Sequence, residues 1–288
     1  MVAPSGPVGA DRVTRGADWL RSVGLVPVLG ANLGRRSGHG LPFLAGDDRE
    51  RATDLQAAWC DPDVAAVLCA RGGDGAPRLL DLLDWEAMRG ARPKPMAGVS
   101  DVTVLHQAFA SRLGVATLWS PMPGTTVVCG PGEDATSRER MVTALTTLGA
   151  GVDLLGRRLV GGVVDAPLVG GTLSLLSAMA GTSECVPAGG AIAVLEDLGE
   201  APYRVERMLT HLRRSGWFDM VAGVACGDWT ACGNPDELAA VLDDRLGDLG
   251  VPVVLDLPFG HGRVQSSLWL GRPARLDGDR GLLSQRVA

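Results

Sequence analysis

At 288 residues, with 46% apolar and 21% charged residues, the chain has material for one large or two ordinary globular domains with proper cores. A formal charge of −6 and the lack of any sustained basic run exclude an electrostatic footprint for nucleic acid or for an anionic membrane surface. No apolar stretch reaches bilayer length, the N-terminus has neither the basic start nor the apolar run of a secretory signal, and the six cysteines form no Cys-x-x-Cys pair, so a soluble, reduced, cytoplasmic protein without disulfides or a zinc site is expected.

Val2-Ala-Pro-Ser-Gly-Pro reads as a strand end entering a glycine turn, and Val13, Ala17, Leu20 and Val23 mark one face of a helix from about Asp11. A strand at Leu25 to Leu29 is predicted next. The polar loop from Gly30 to Gly46 contains His39, a position where a histidine is usually solvated. Asp47 to Trp59 is predicted helical, with Asp48 and Glu50 in the first turn where the helix dipole favours carboxylates. Val64 to Ala70 is a continuous apolar run, as in a strand covered on both faces. It enters Arg71-Gly-Gly-Asp-Gly75, where glycines let backbone amides approach a ligand, and a helix carrying Leu79, Leu80, Leu82 and Leu83 follows. Neither Gly-x-Gly-x-x-Gly nor the Walker lysine is present, so the functional reading of this turn is an oxyanion hole rather than a phosphate cradle; the alternative is a tight turn with no ligand.

Lys94 to Arg112 is the stretch around which the chain is organised. A short apolar run, Gly98-Val99-Ser100-Asp101, and then apolar residues at Val102, Leu105, Phe109 and Leu113 predict a strand turning sharply into an amphipathic helix. Ser100 at that corner has the placement of a nucleophile on an elbow, although the second glycine of Gly-x-Ser-x-Gly is missing. Taken alone, Ser-Asp before a helix is more often only an N-cap. His106, mid-helix, reads as structural. With a strand at Gly114 to Ser120, strands and helices alternate as in an open parallel α/β sheet, whose sites lie at the carboxyl ends of strands. Prolines and glycines from Pro121 to Gly132 place a domain boundary there, giving expected domains 1–125 and 126–288.

Beyond a helix from about Ala135, strands are predicted at Leu159 to Val169, Ala191 to Leu195, Val221 to Cys226 and Val251 to Leu257. Helices at Thr172 to Met179, Tyr203 to Arg214 and Asp236 to Leu249 separate them, with His211 beside the apolar stripe of the second. Glu196-Asp197 ends an apolar run, where a carboxylate can orient a histidine or cap a turn. His261 lies between glycines just after the last strand, exposed and positioned.

Arg71-Gly-Gly-Asp-Gly-Ala-Pro-Arg-Leu-Leu-Asp-Leu-Leu-Asp84, Gly98-Val-Ser-Asp101, Leu168-Val-Gly-Gly-Thr-Leu-Ser174, Leu195-Glu-Asp-Leu-Gly-Glu-Ala-Pro-Tyr-Arg204 and Gly260-His261 occur in the order seen in the LD-carboxypeptidase family of serine peptidases, which also includes microcin C immunity peptidases, and nearly the whole chain resembles that family. The resemblance implies an N-terminal domain like class I glutamine amidotransferases, a C-terminal swivelling β/α domain and a homodimer. It also implies a Ser100, Glu196, His261 triad with oxyanion donors at the Gly73 and Asp101 amides, and neither metal nor organic cofactor. Arg71, Gly72, Asp74 and Val99 are expected to line the substrate, a small peptide or peptide-like amide cleaved between an L-centre and a D-amino acid, as in murein tetrapeptides. Three positions depart from the family pattern. Asp74 and Val99 stand where aromatics are common and Thr172 where asparagine is expected. These departures are expected to leave the triad untouched and to bear on the substrate. The alternatives are a specialised amidase or acyltransferase acting on a peptide-like natural product, in biosynthesis or self-immunity, and a silent binding protein that keeps the fold.

Overall fold

The computed structural model describes residues 1–37, 40–147 and 149–286. His39 lies outside the described residues. The first helix, α1 (Ala10–Ser22), buries Val13, Ala17 and Leu20 as their spacing predicts. The second, α2 (Asp48–Cys60), begins at a capping box between Asp47 and Glu50, which satisfies two amides that a helix start leaves free. Strand β1 (Val67–Leu68) pairs in parallel with β2 (Met96–Gly98), and β2 with β3 (Thr117–Trp119). The crossovers carry α3 (Trp85–Gly90) and α4 (Thr103–Leu113). Short α5 (Thr126–Cys129) and then α6 (Ala135–Thr146) lead into the second half.

There, β4 (Gly151–Leu155), β5 (Arg157–Val160) and β6 (Val163–Thr172) precede α7 (Leu173–Met179). Strand β7 (Ile192–Leu198), α8 (Pro202–Arg214), β8 (Gly223–Thr230), α9 (Pro235–Leu246) and β9 (Val253–Leu255) follow. The chain ends in β10 (Leu268–Leu270), β11 (Pro273–Asp277) and β12 (Leu282–Arg286). The second sheet runs β4-β12-β11-β6-β7-β8-β9-β5, with β6 to β9 parallel and the outer strands antiparallel. The first sheet runs β1-β2-β3-β10, so a strand from near the C-terminus completes it, antiparallel to β3. Together these make a mixed α/β molecule with parallel-sheet cores.

One apolar core passes between the halves: Trp59, Phe109 and Trp119 of the first share a cluster with Leu168, Ile192 and Phe259 of the second. Trp59 and Phe109 meet edge to face at 4.8 Å, an arrangement that adds about 0.5–1.5 kcal/mol to their burial. A second cluster seats Val205, Leu209 and Leu212 of α8 against the second sheet.

Several elements differ from expectation. Leu25 to Leu29 forms no strand: Val26 and Val28 are 88% and 63% exposed, and Val28 O and the following Gly30 N bond to the backbone of Met1. The run Val64 to Ala70 contributes only β1, with Val2 bridging Cys69 at its edge. The leucine-rich helix is a 3-10 turn, Ala76–Leu79, and a separate helix begins at Trp85, where Asp84 accepts from the Glu86 and Ala87 amides. Leu159 to Val169 is two strands, turned at Gly161 and Gly162. The strands β4, β10, β11 and β12 have no counterpart in the sequence reading.

Candidate active site

The corner at Ser100 has the predicted geometry. Its φ is 66°, in the left-handed region that costs a non-glycine residue roughly 1–2 kcal/mol. The chain leaves β2, passes Ser100 and winds through a 3-10 turn, Ser100–Val102, into α4. His106 on α4 braces this corner: its Nε2 is 2.9 Å from Gly98 O and must donate, so Nδ1 accepts from Thr117 Oγ1 at 2.8 Å. Burial pushes its pKa down to about 4, which keeps the ring neutral. Its role is structural, as read from its position.

Gly72 lies directly against the serine. A Cβ on residue 72 would stand 2.7 Å from Ser100 Cβ and 3.0 Å from its Oγ, so no side chain fits between the turn and the hydroxyl. Gly73, at φ 119°, abuts Gly6, and Gly6 N donates to Gly72 O at 3.0 Å. Arg71 donates to Pro7 O at 3.1 Å; its partial burial, with Arg12 nearby, holds its pKa below the usual value. Asp74 is exposed. The Val99 side chain is 3% exposed and belongs to the core, so it does not line the cleft; what residue 99 presents toward Gly72 is its carbonyl oxygen. Asp101 is 1% exposed and accepts from Ala76 N at 2.8 Å, tying the elbow to the end of the glycine turn. Burial raises its pKa, against the hydrogen bond from Ala76.

From the second half come Glu196 and His261. His261 Nδ1 is 2.6 Å from Glu196 Oε2, with the side chains 15% and 0% exposed. Burial opposes the imidazolium, but the hydrogen bond and charge of Glu196, with Asp197 and Asp228 beyond it, raise the His261 pKa above its ordinary value. Strand β7 is covered on both faces, so both members of the acidic pair are buried, beside a break in its register with β8. They then part: Glu196 holds the histidine, while Asp197 accepts from the Ser174 and Leu198 amides, each at 2.8 Å, and so caps α7. Burial, helped by Glu196, pushes the Asp197 carboxyl up to about 6. His211 faces Ser177 at 3.2 Å, away from this pair.

Three residues of the site went unrecognised or were misjudged. Asp228 on β8 accepts from Gly262 N at 3.1 Å and its own amide donates to Phe259 O at 2.8 Å, pinning the His261 loop from both sides. Its carboxyl is pushed up to about 6, by burial first and then by Glu196 and Asp256. Thr103 Oγ1 accepts from Thr172 N at 3.0 Å, joining the helix behind Ser100 to the end of β6. Thr172 Oγ1 donates to Glu196 Oε1 at 2.6 Å, which corrects the expectation that the departure at 172 leaves the carboxylate untouched. The sequence marked Thr172 only as the start of a helix and as a departure from the asparagine of the family pattern. Among the described residues no three His, Cys, Asp or Glu side chains are grouped to hold a metal, and no helix is long and apolar enough to cross a membrane.

The two-domain α/β fold carries a serine on a strained strand-to-helix corner against a glycine turn and, in its second half, a buried carboxylate–histidine pair, which are side chains of the kind a serine hydrolase uses. Residues 1–120 match the LD-carboxypeptidase N-terminal domain and 165–276 the LD-carboxypeptidase C-terminal domain. The chain belongs to the LD-carboxypeptidase family and is a serine peptidase of that type. A Streptomyces coelicolor relative that carries a carboxypeptidase name is 47% identical over 99% of this chain and 91% of its own. The murein tetrapeptide carboxypeptidase of Pseudomonas aeruginosa is 33% identical over 97% of this chain and 93% of its own. The crystal structure of muramoyltetrapeptide carboxypeptidase from Oxalobacter formigenes superposes with a TM-score of 0.88 at 29% identity, covering 98% of this chain and 96% of that one.

Proposed function

We propose that this chain removes a D-amino acid from a murein-type tetrapeptide through a Ser100, His261, Glu196 triad. The observation that carries the reading is the buried 2.6 Å pair of Glu196 and His261, in the half of the molecule that meets the Ser100 turn at the end of β6. His261 takes the Ser100 proton as Oγ bonds to the carbonyl carbon, and the oxyanion that forms is met by the Gly73 and Asp101 amides. Collapse breaks the C–N bond, with the proton passing from His261 to the departing amine. Water, deprotonated by the same imidazole, then releases the acyl group and restores Ser100. Glu196 keeps Nδ1 protonated and stabilises the imidazolium. No hydrogen bond joins Ser100 to His261 among the described residues; such pairs tighten when a substrate is seated.

The names of the Pseudomonas and Oxalobacter relatives support a tetrapeptide substrate. Asp74, exposed one residue past Gly73, favours a substrate with a neutral or cationic group at that rim. The test is a substrate panel on purified protein: a tetrapeptide ending in D-alanine, its all-L counterpart, and an amine-bearing analogue, with the released amino acid quantified. Release of D-alanine with no turnover of the all-L peptide supports the reading. Equal turnover of both contradicts it. Light scattering on the same preparation tests the homodimer that the family resemblance implies.

A further inference from the structure

We propose that Thr172 is a positioning residue of the active site, the middle of a buried relay that sets His261 against the helix carrying Ser100. The relay runs from Thr103 Oγ1, which accepts from Thr172 N at 3.0 Å, through Thr172 Oγ1, which donates to Glu196 Oε1 at 2.6 Å, to Glu196 Oε2, which accepts from His261 Nδ1 at 2.6 Å. It rests on the triad reading given above.

The backbone fixes this arrangement. Thr172 and Glu196 are register partners on the parallel strands β6 and β7, so their side chains stand side by side on one face. Thr103 is 0% exposed, Thr172 3% and Glu196 0%, so none can exchange its partner for water. A carboxylate in such a place needs both oxygens satisfied, and one is left over once His261 has taken Oε2. Thr172 supplies the missing donor. Its amide is spent at the same time on Thr103, three residues past Ser100, so one residue reports the position of α4 to Glu196.

Two neighbouring features hold the same contact. Gly171 has φ 147°, and a Cβ there would stand 2.7 Å from Thr103 Oγ1, so glycine is what lets the strand meet the helix. One turn along α4, the buried Gln107 donates to Gly170 O at 3.2 Å and accepts from Val186 N at 2.9 Å. The helix thus reads the backbone of residues 170–172 through two polar side chains on one face. A shift of the second half against the first would break the Thr172 N–Thr103 Oγ1 hydrogen bond, the link that sets Glu196 and His261 against α4.

Thr172→Val keeps the shape and removes the donor, Thr172→Ser restores it, and Thr103→Val removes the acceptor on α4. Each is compared with wild type and with Ser100→Ala. The readouts are kcat and KM on the D-alanine tetrapeptide, the rate of fluorophosphonate labelling, and the proton NMR signal of His261 Nδ1–H, with thermal melts as the check on folding. Thr172→Val is expected to lower kcat and the labelling rate roughly 10- to 100-fold, the size of one hydrogen bond to a charged group, and to leave KM within about threefold. Thr172→Ser is expected to recover to within about threefold of wild type. Thr103→Val should weaken kcat in the same direction, and the Thr103→Val, Thr172→Val pair should lose less than the product of the single losses, because both cut one relay. Wild-type labelling and an unmoved Nδ1 proton in Thr172→Val, with Ser100→Ala unlabelled, would overturn the relay and leave the triad standing. Full activity in Ser100→Ala would overturn both. If Thr172→Val does not fold, a Thr172→Ser variant that labels tenfold or more slower than wild type overturns the proposal, and recovery supports it.

Discussion

Replacing Glu196 by glutamine keeps the shape of the side chain and removes its charge, so it isolates what the buried carboxylate does for His261. In the native pair Oε2 meets Nδ1 at 2.6 Å with Glu196 fully buried, so water cannot stand in for the lost charge. A hydrogen bond to a charged partner contributes roughly 1.5–3 kcal/mol against about 0.5–1.5 for a neutral one. The exchange therefore weakens the imidazolium by about 1–2 kcal/mol, or about 0.7–1.5 pKa units at 1.36 kcal/mol per unit. The proposed general base must be a neutral ring, and the native His261 pKa is raised. Wild-type kcat/KM should accordingly fall as pH drops through a value above the ordinary histidine value of about 6.5, and Glu196→Gln should move that limb to lower pH. The rate should fall by at least about 5- to 30-fold. It should fall by as much as about 10⁴ if the amide holds the tautomer whose Nε2 cannot accept from Ser100. For stability the sign is opposite in pH: the protonated pair contributes fully below about 6.5, and the contribution is lost as pH rises through the raised native pKa. The assay is kcat/KM on the tetrapeptide from about pH 5 to 9. A variant within twofold of wild type, with its acidic limb unmoved, would refute the role given to Glu196.

Asp228→Asn should shift the acidic limb the same way but less than Glu196→Gln, since Asp228 acts on His261 at longer range, alongside Asp197; an unmoved limb would confine Asp228 to holding the loop. Gly72→Ala places a methyl group 2.7 Å from Ser100 Cβ and should cost activity on the order of 10²-fold, which activity assays paired with melts would separate from misfolding. Asp74→Tyr should raise kcat/KM for the carboxylate-rich tetrapeptide relative to an amine-bearing analogue, because it removes a charge at the rim; an unchanged ratio would return Asp74 to the role of a turn residue.

The elbow was legible because its signal is local: a strand, a glycine, a serine and an amphipathic helix occupy adjacent residues, and Ser100 at φ 66° is what they build. Glu196 and His261 were legible as strand-end residues, and the family resemblance fixed their pairing. Thr172 was not, since its hydroxyl matters through the register of β6 on β7, which couples residues 24 apart and leaves no periodic trace. Val99 shows the converse error. The family's aromatic before the nucleophile suggested a lining residue, but just past the end of β2 the Val99 side chain packs into the core. The strands β10 to β12 escaped notice because they are short, with polar residues such as Arg275, Ser284 and Gln285 among the apolar ones. They are stabilised by neighbours rather than by propensity: Gln285 Oε1 accepts from Trp269 N at 2.7 Å, and Ser267 meets Ser120 at 2.9 Å.

The central claim, that Ser100 is the nucleophile, is tested most directly by intact-mass analysis of wild type and Ser100→Ala after exposure to a fluorophosphonate. The account predicts a single adduct on wild type, mapped to Ser100, with tetrapeptide turnover lost in proportion to labelling, and neither adduct nor turnover in Ser100→Ala. An adduct on another residue, or tetrapeptide hydrolysis at the wild-type rate by Ser100→Ala, would contradict it.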